Sequence, residues 1–351
     1  MRAALLAVPL SWWAHASLAS AEDGGAVVAS IKPVHSLVSA VMAGVGEPQL
    51  LIRGSSSPHT FSLRPSDAAV LEGASVIFWI GDSMESSLAG PISTLGREAR
   101  LVTLSEAPDL VRRPLREGGA FEGHAHRDGD QGGRDHGRHD EDHDEHHDED
   151  HDEDHDEDHD EHHDNETVGR DGVAFDMHIW LDPHNAGVMA RTIADMLSEV
   201  DLANADRYAS NAETLVGRLE VLRADIDALV APARGQPFIM FHDAYRYFED
   251  RFGLAAVGSV VVSPERTPGV RRILDLRDKV RELGVVCVFS EPQFQPRLVT
   301  TIIEDTPARA GVVDPLGASI ETGPELYFTL LRDMAESFAE CLTPDQDGSG
   351  Q

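Results

Sequence analysis

Eighteen histidines lie in the 351-residue chain, and they fall into two populations. Twelve sit between His124 and Glu166, interleaved with 21 acidic residues and three Arg, a local net charge of -18. His15 lies near the N-terminus; the remaining five, His35, His59, His178, His184 and His242, are scattered through ordinary sequence. Imidazoles and carboxylates in such numbers point to cations. Three imidazoles with one carboxylate, or with water, make a tetrahedral site for Zn2+, whereas Mn2+ and Fe2+ favour more oxygen donors.

Four positions stand in informative surroundings. His59 lies in PHTFSLRPSD, a turn-rich stretch, and His178 in DMHIWLDP, where the charged run gives way to ordinary sequence. His242 follows the apolar run Phe238 to Phe241, and Asp314 follows Gly311 to Val313 in GVVDPLG. In open parallel sheets ligands bind at the carboxyl ends of strands, which is where His242 and Asp314 would stand. Each also has a plainer reading: a histidine after a strand is often only a satisfied polar residue, and Asp before Pro commonly forms a turn. His35 reads as the start of a helix after Pro33, and His184 as the opening of one after Pro183.

Those residues must be held by the elements between them. Short apolar, β-rich runs recur at Ala26 to Ile31, Gln49 to Ile52, Ser75 to Ile80, Phe238 to Phe241, Ala255 to Val262, Val285 to Ser290 and Gly311 to Val313. Helix-like stretches separate many of them: Ser36 to Ala43, Ser66 to Glu72, Ala244 to Phe252, Val270 to Leu283 and Pro296 to Glu304. Strands without polar alternation, separated by helices, predict buried parallel sheets in an α/β fold. Two such blocks are expected, an N-terminal βα domain over 25–200 and a C-terminal one over 236–342. Between them Asn185 to Val200 reads as one helix. A second over 203–231 carries Leu215, Leu219, Leu222, Ile226 and Leu229 at three- and four-residue steps. Its length and position predict a connector between the domains; residues 343–351 read as a tail.

The charged run, 123–166, interrupts the first block. His143, His147, His151, His155, His159 and His163 repeat every four residues, a spacing that a helix would align on one face. Dense like charge with almost no apolar residues predicts disorder until metal binds. These histidines are candidate accessory ligands.

Over the whole chain 62 Asp and Glu face 29 Lys and Arg, a net charge of -33, of which the run carries more than half. That balance excludes a nucleic-acid binder, which needs basic surface, and attraction to an anionic membrane. The N-terminus predicts an export signal over residues 1–21: Arg2, the apolar stretch Ala3 to Trp13, and Ala19-Ser20-Ala21 with cleavage before Glu22. No Cys follows that site, so a soluble periplasmic protein without a lipid anchor or membrane insertion is expected. In an oxidising compartment Cys287 and Cys341 are expected to pair, closing a loop of about 54 residues worth on the order of 4 kcal/mol. The alternative, two metal-ligating thiolates, suits a reducing compartment better.

Together, IKPVHSLV, PHTFSLRPSD, FWIG, WLDP, the His242 motif, FSEPQF and DPLG resemble, in order, the periplasmic metal-binding proteins of ABC importers. The histidine-rich insert and the single cysteine pair resemble them too. The resemblance implies two βα domains joined by a long helix, with one ion in the cleft between them. It assigns ligation to His59, His178 and His242, with Asp314 at a more variable fourth position. Manganese and iron relatives usually carry a carboxylate at the third position, so His242 resembles the zinc branch. Some zinc relatives place Glu before the first histidine; here Pro58 stands there, leaving Asp314 or water to complete the shell. The implied function is a monomeric, non-enzymatic carrier with one tight Zn2+ as cargo, delivered to an inner-membrane permease and its ATPase. Additional ions would be held weakly on the insert.

Three rivals differ in what they require. A manganese or iron carrier would load those metals when zinc is scarce. A zinc hydrolase needs a general base beside the metal water, and no H-E-x-x-H pair occurs outside the insert. A buffering protein would lose its function with the insert.

Overall fold

The computed structural model describes residues 25–116, 121, 174–261, 268–294 and 297–343. The anticipated export signal, the whole charged insert and all but Thr343 of the C-terminal tail lie outside the described residues.

The first sheet is built from β1 (Ala26–Ala29), β2 (Gln49–Leu50), β3 (Ala74–Trp79) and β4 (Arg100–Thr103), in the order β2-β1-β3-β4 and parallel throughout. Helices α1 (Lys32–Val41), α2 (Pro65–Glu72) and α3 (Ser86–Leu95) connect its strands. The second sheet has β5 (Phe238–His242), β6 (Ala256–Val261), β7 (Cys287–Ser290) and β8 (Arg309–Val312), with α6 (Arg246–Phe252), α7 (Val270–Glu282) and α8 (Arg297–Ile303) between them. Its order, β6-β5-β7-β8, repeats that of the first. In both sheets the chain runs outward in opposite directions from its first and third strands, so each has a crevice at their carboxyl ends. All five residues of β5 are buried, as expected of an inner parallel strand.

Between the sheets run α4 (Pro183–Val200) and α5 (Ala205–Val230). Pro183 takes the first turn of α4 and Asp182 caps it, accepting from the His184 N–H at 2.9 Å. With 26 residues α5 is about 39 Å long. Its stripe Tyr208, Ala212, Leu215, Leu219, Leu222, Ile226 and Val230 is buried against α4, α1 and the final helix α9 (Leu326–Leu342). The two lobes therefore share one contiguous core, from Val28 and Phe78 through Leu219 to Phe238, Phe289 and Phe338. A smaller cluster, including Ile239, Val260, Leu276 and Val288, lies within the second lobe.

Cys287 on β7 is bonded to Cys341 on α9, with Cα atoms 6.0 Å apart, so neither thiol is available to a metal. Two elements, α3 and α9, and the edge strand β4 are absent from the runs anticipated above. Among the described residues no helix is long and apolar enough to cross a membrane.

Candidate metal centre

Each of the three clustered histidines is placed by a different local device. His242 is the last residue of β5 and so projects at the carboxyl edge of the second sheet. His59 lies in a short 3-10 turn, Pro58–Thr60, where Ser57 Oγ accepts from its backbone N–H at 3.3 Å. His178 directly precedes another 3-10 turn, Ile179–Leu181, and Asp176 Oδ1 accepts from its backbone N–H at 2.9 Å.

These devices bring the three rings together. One nitrogen from each lies within 4.8 Å of the others, and Nε2 of His178 stands 3.4 Å from Nε2 of His242. Nitrogens about 2.0–2.1 Å from a tetrahedral ion lie about 3.3–3.4 Å apart, so this pair already has the required spacing. Two of the rings are also oriented for ligation. His178 Nδ1 is 2.7 Å from Asp176 Oδ1, and His242 Nδ1 is 2.5 Å from Glu291 Oε1. With the Nδ1 proton donated to a carboxylate, Nε2 presents its lone pair to the centre, the usual arrangement behind a metal-bound histidine.

The space between the rings is small, about 10 Å³, and largely apolar, with Pro58, Trp180, Phe294, Pro315 and Leu316 on its walls. It accommodates an ion or a water molecule, not an organic substrate.

Burial lowers the proton affinity of His59 and His178 well below the usual imidazole value, and the neighbouring imidazoles add to the effect. His242 is equally buried, but Glu291, with Asp176 and Asp243, more than offsets this and holds it above its ordinary value. Burial pushes the Asp176 carboxyl up to about 7, against its bond from the His178 N–H and the field of Arg116. Arg116 itself ties the lobes together. Its guanidinium meets the carboxylates of Asp243, next to His242, and of Glu249 on α6, which lies 2.7 Å from Nη1. The same helix receives the stem of the insert at two more points: Tyr247 Oη donates to Asp176 O at 2.7 Å, and Arg113 pairs with Asp250 at 2.9 Å.

Asp314 is placed differently from the histidines. Its Oδ1 accepts from Gln293 Nε2 at 2.9 Å and from the N–H groups of Leu316 and Gly317 at 3.0 Å, while Oδ2 accepts from Ala318 N–H. It organises the turn that follows Pro315, as Asp before Pro commonly does, and it is not part of the histidine cluster. His35 is buried in α1 with Nε2 3.1 Å from Pro48 O, and His184 lies exposed in the first turn of α4. The six regularly spaced histidines of the insert lie outside the described residues. Two residues of the site escaped the sequence reading, Asp176 and Glu291. Glu291 follows the β7 run and could have been found by the strand-end rule that singled out His242; Asp176 stands two residues before His178 in DMH.

A family model described as ZnuA, zinc-uptake complex component A periplasmic, matches residues 27–341. The high-affinity zinc uptake system protein ZnuA of Brucella suis biovar 1 is 48% identical over 334 residues, 95% of this chain and 96% of the relative. Its counterpart from Yersinia pestis is 32% identical over 317 residues, 90% and 91% of the two chains. The crystal structure of a zinc-bound ZnuA deletion mutant superposes with a TM-score of 0.67 at 22% identity, covering 92% of this chain and all of that one. At that identity the likeness is one of fold.

Proposed function

The chain belongs to the ZnuA family, and on that premise we propose that it binds Zn2+ through His59, His178 and His242 for an ABC importer. The family description, a periplasmic component of a zinc-uptake complex, supports this reading, in which the carrier hands zinc to a membrane permease driven by an ATPase. The observation that carries the ligand assignment is the convergence of three imidazoles, two of them backed by buried carboxylates. Three nitrogen donors with an open fourth position suit Zn2+, and water takes that position, since the Asp314 carboxylate is engaged by Gln293 and by three N–H groups of its own turn. A pocket with room for an ion and none for an organic substrate supports carriage over hydrolysis.

Competition titration of the purified protein against a zinc chelator tests this reading. One tight site is expected, with zinc recovered by metal analysis after growth in limiting zinc; a preparation holding only manganese would overturn it. The insert histidines His143, His147, His151, His155, His159 and His163 are proposed to hold further ions weakly. Deleting 123–165 is therefore expected to leave one tight site and to remove only the weaker binding seen by calorimetry.

Acid should weaken binding in a specific order. His59 and His178 are held below their ordinary value and stay neutral near pH 7, so they do not compete with the metal. His242 is held above 6.5 and keeps a competing proton to higher pH. Affinity is expected to fall as pH drops through the His242 titration, above 6.5. In Glu291→Gln the charge that raises His242 is gone, so this fall should begin at lower pH. Loss of the orienting carboxylate should meanwhile lower affinity about 10–100-fold at high pH. Titrations between pH 8.5 and 5.5 separate the two effects; an unchanged onset would contradict the role given to Glu291.

A further inference from the structure

Lys32, the first residue of α1, is buried, and its ammonium group crosses from the first lobe to the second. There it donates to three backbone carbonyls: Gly317 O at 2.6 Å, Ala318 O at 3.0 Å and Ile320 O at 2.6 Å. An ammonium has three donors, and all three are used. On the other side of the same turn, the Asp314 carboxylate accepts from the N–H groups of Leu316, Gly317 and Ala318. The turn is thus held between opposite charges, its N–H groups toward Asp314 and its carbonyls toward Lys32. It begins with Pro315 and Leu316, which form one wall of the histidine pocket. Pro315 O also accepts from Trp180 Nε1 at 2.8 Å, and the Trp180 ring lies 5.3 Å from that of His178.

Two further features belong to this part of the second lobe. Gly317 (φ 68°), inside the turn, and Gly323 (φ 140°), three residues beyond it, have backbone angles in the left-handed region. On the far side of Lys32 lies a cavity of about 620 Å³ between the lobes, lined by Lys32 and His35 on one side and, on the other, by Thr322, Gly323 and Pro324, which follow the turn. The pocket wall is held by Lys32, and Lys32 itself borders the open space between the lobes.

We propose that Lys32 is a positioning residue for metal retention: it latches the 315–320 turn of the second lobe against the three-histidine pocket, and release of the ion requires that latch to open. Lys32 touches neither the ion nor a ligand. The proposal rests on the zinc reading above and adds to it the element that governs how fast the ion leaves.

The test is stopped-flow release of zinc into excess chelator, comparing wild type, Lys32→Met and Lys32→Arg. Lys32→Met keeps the length and apolar stem and removes every donor; its release should be about tenfold faster or more. Lys32→Arg retains a cation whose planar donors cannot meet the same three carbonyls, so an intermediate rate is expected. The visible absorption of the Co2+-loaded variants should match wild type, because the ligand set is intact; a lysine needed only for folding would lower the melting temperature without changing release. A folded Lys32→Met that releases zinc at the wild-type rate overturns the proposal. If Lys32→Met does not fold, a wild-type rate in Lys32→Arg does so. A wild type without a tight zinc site would overturn the zinc reading first, before any variant is compared.

Discussion

Replacing His242 by alanine is expected to abolish tight zinc binding, lowering affinity roughly a thousandfold. Apparent binding energies of about 10–16 kcal/mol for protein zinc sites, shared among three or four ligands, give about 4 kcal/mol for one of them. His242 should be at least as costly as the average. Its Nε2 is 3.4 Å from that of His178, and its Nδ1 is held by Glu291, so both its position and its tautomer are set before the ion arrives. The alanine variant leaves Glu291 buried with its histidine partner gone. His35→Ala is the appropriate control, because that histidine is also buried but lies in α1, bonded to Pro48 O. Chelator competition should show near-wild-type affinity for the control and no tight site for His242→Ala. Retention of the tight site in His242→Ala would remove the ligand assignment.

The second large effect is expected on stability. Arg116→Met should destabilise the protein by about 3 kcal/mol, because it strands the buried carboxylate of Glu249 and the partly buried one of Asp243 without their cation. Burial already raises Glu249 against the field of Arg116, so removing the guanidinium takes away the main influence keeping it ionised. Urea unfolding measures the loss, and adding Glu249→Gln to Arg116→Met should recover part of it by removing one stranded charge. A variant as stable as wild type would mean that this triad contributes nothing beyond replaceable packing.

The two parallel sheets were legible because their strands are continuous apolar runs such as FIMF and VVCVFS, and because proline opens α1, α2 and α4. Helix α3 was not, since Gly90 and Pro91 in its middle read as a break. Strand β4 is a four-residue edge with Arg100 and Leu101 exposed, too short to show a pattern. Helix α9 carries a readable signal, Leu326, Leu330, Met334, Phe338 and Leu342 at four-residue steps. At the site, the strand-end rule reached His242 but also drew in Asp314, where the turn chemistry of Asp-Pro prevailed and engaged the carboxylate. His59 stands on a 3-10 turn and His178 just before one, neither at a strand end, so only their surrounding motifs pointed to them. Asp176 and Glu291 are carboxylates among many in an acidic chain, and their place behind the rings depends on contacts as distant in sequence as His242 and Glu291.

The contiguous core that passes through α4, α5 and α9 has a consequence for recognition at the membrane. Swinging the lobes apart would expose that core to water, so a full carrier and an empty one must have nearly the same outline. A partner that prefers full carriers to empty ones has no change of overall shape to measure. It must sense the mouth of the pocket itself, where a few turns either sit closed over an ion or do not.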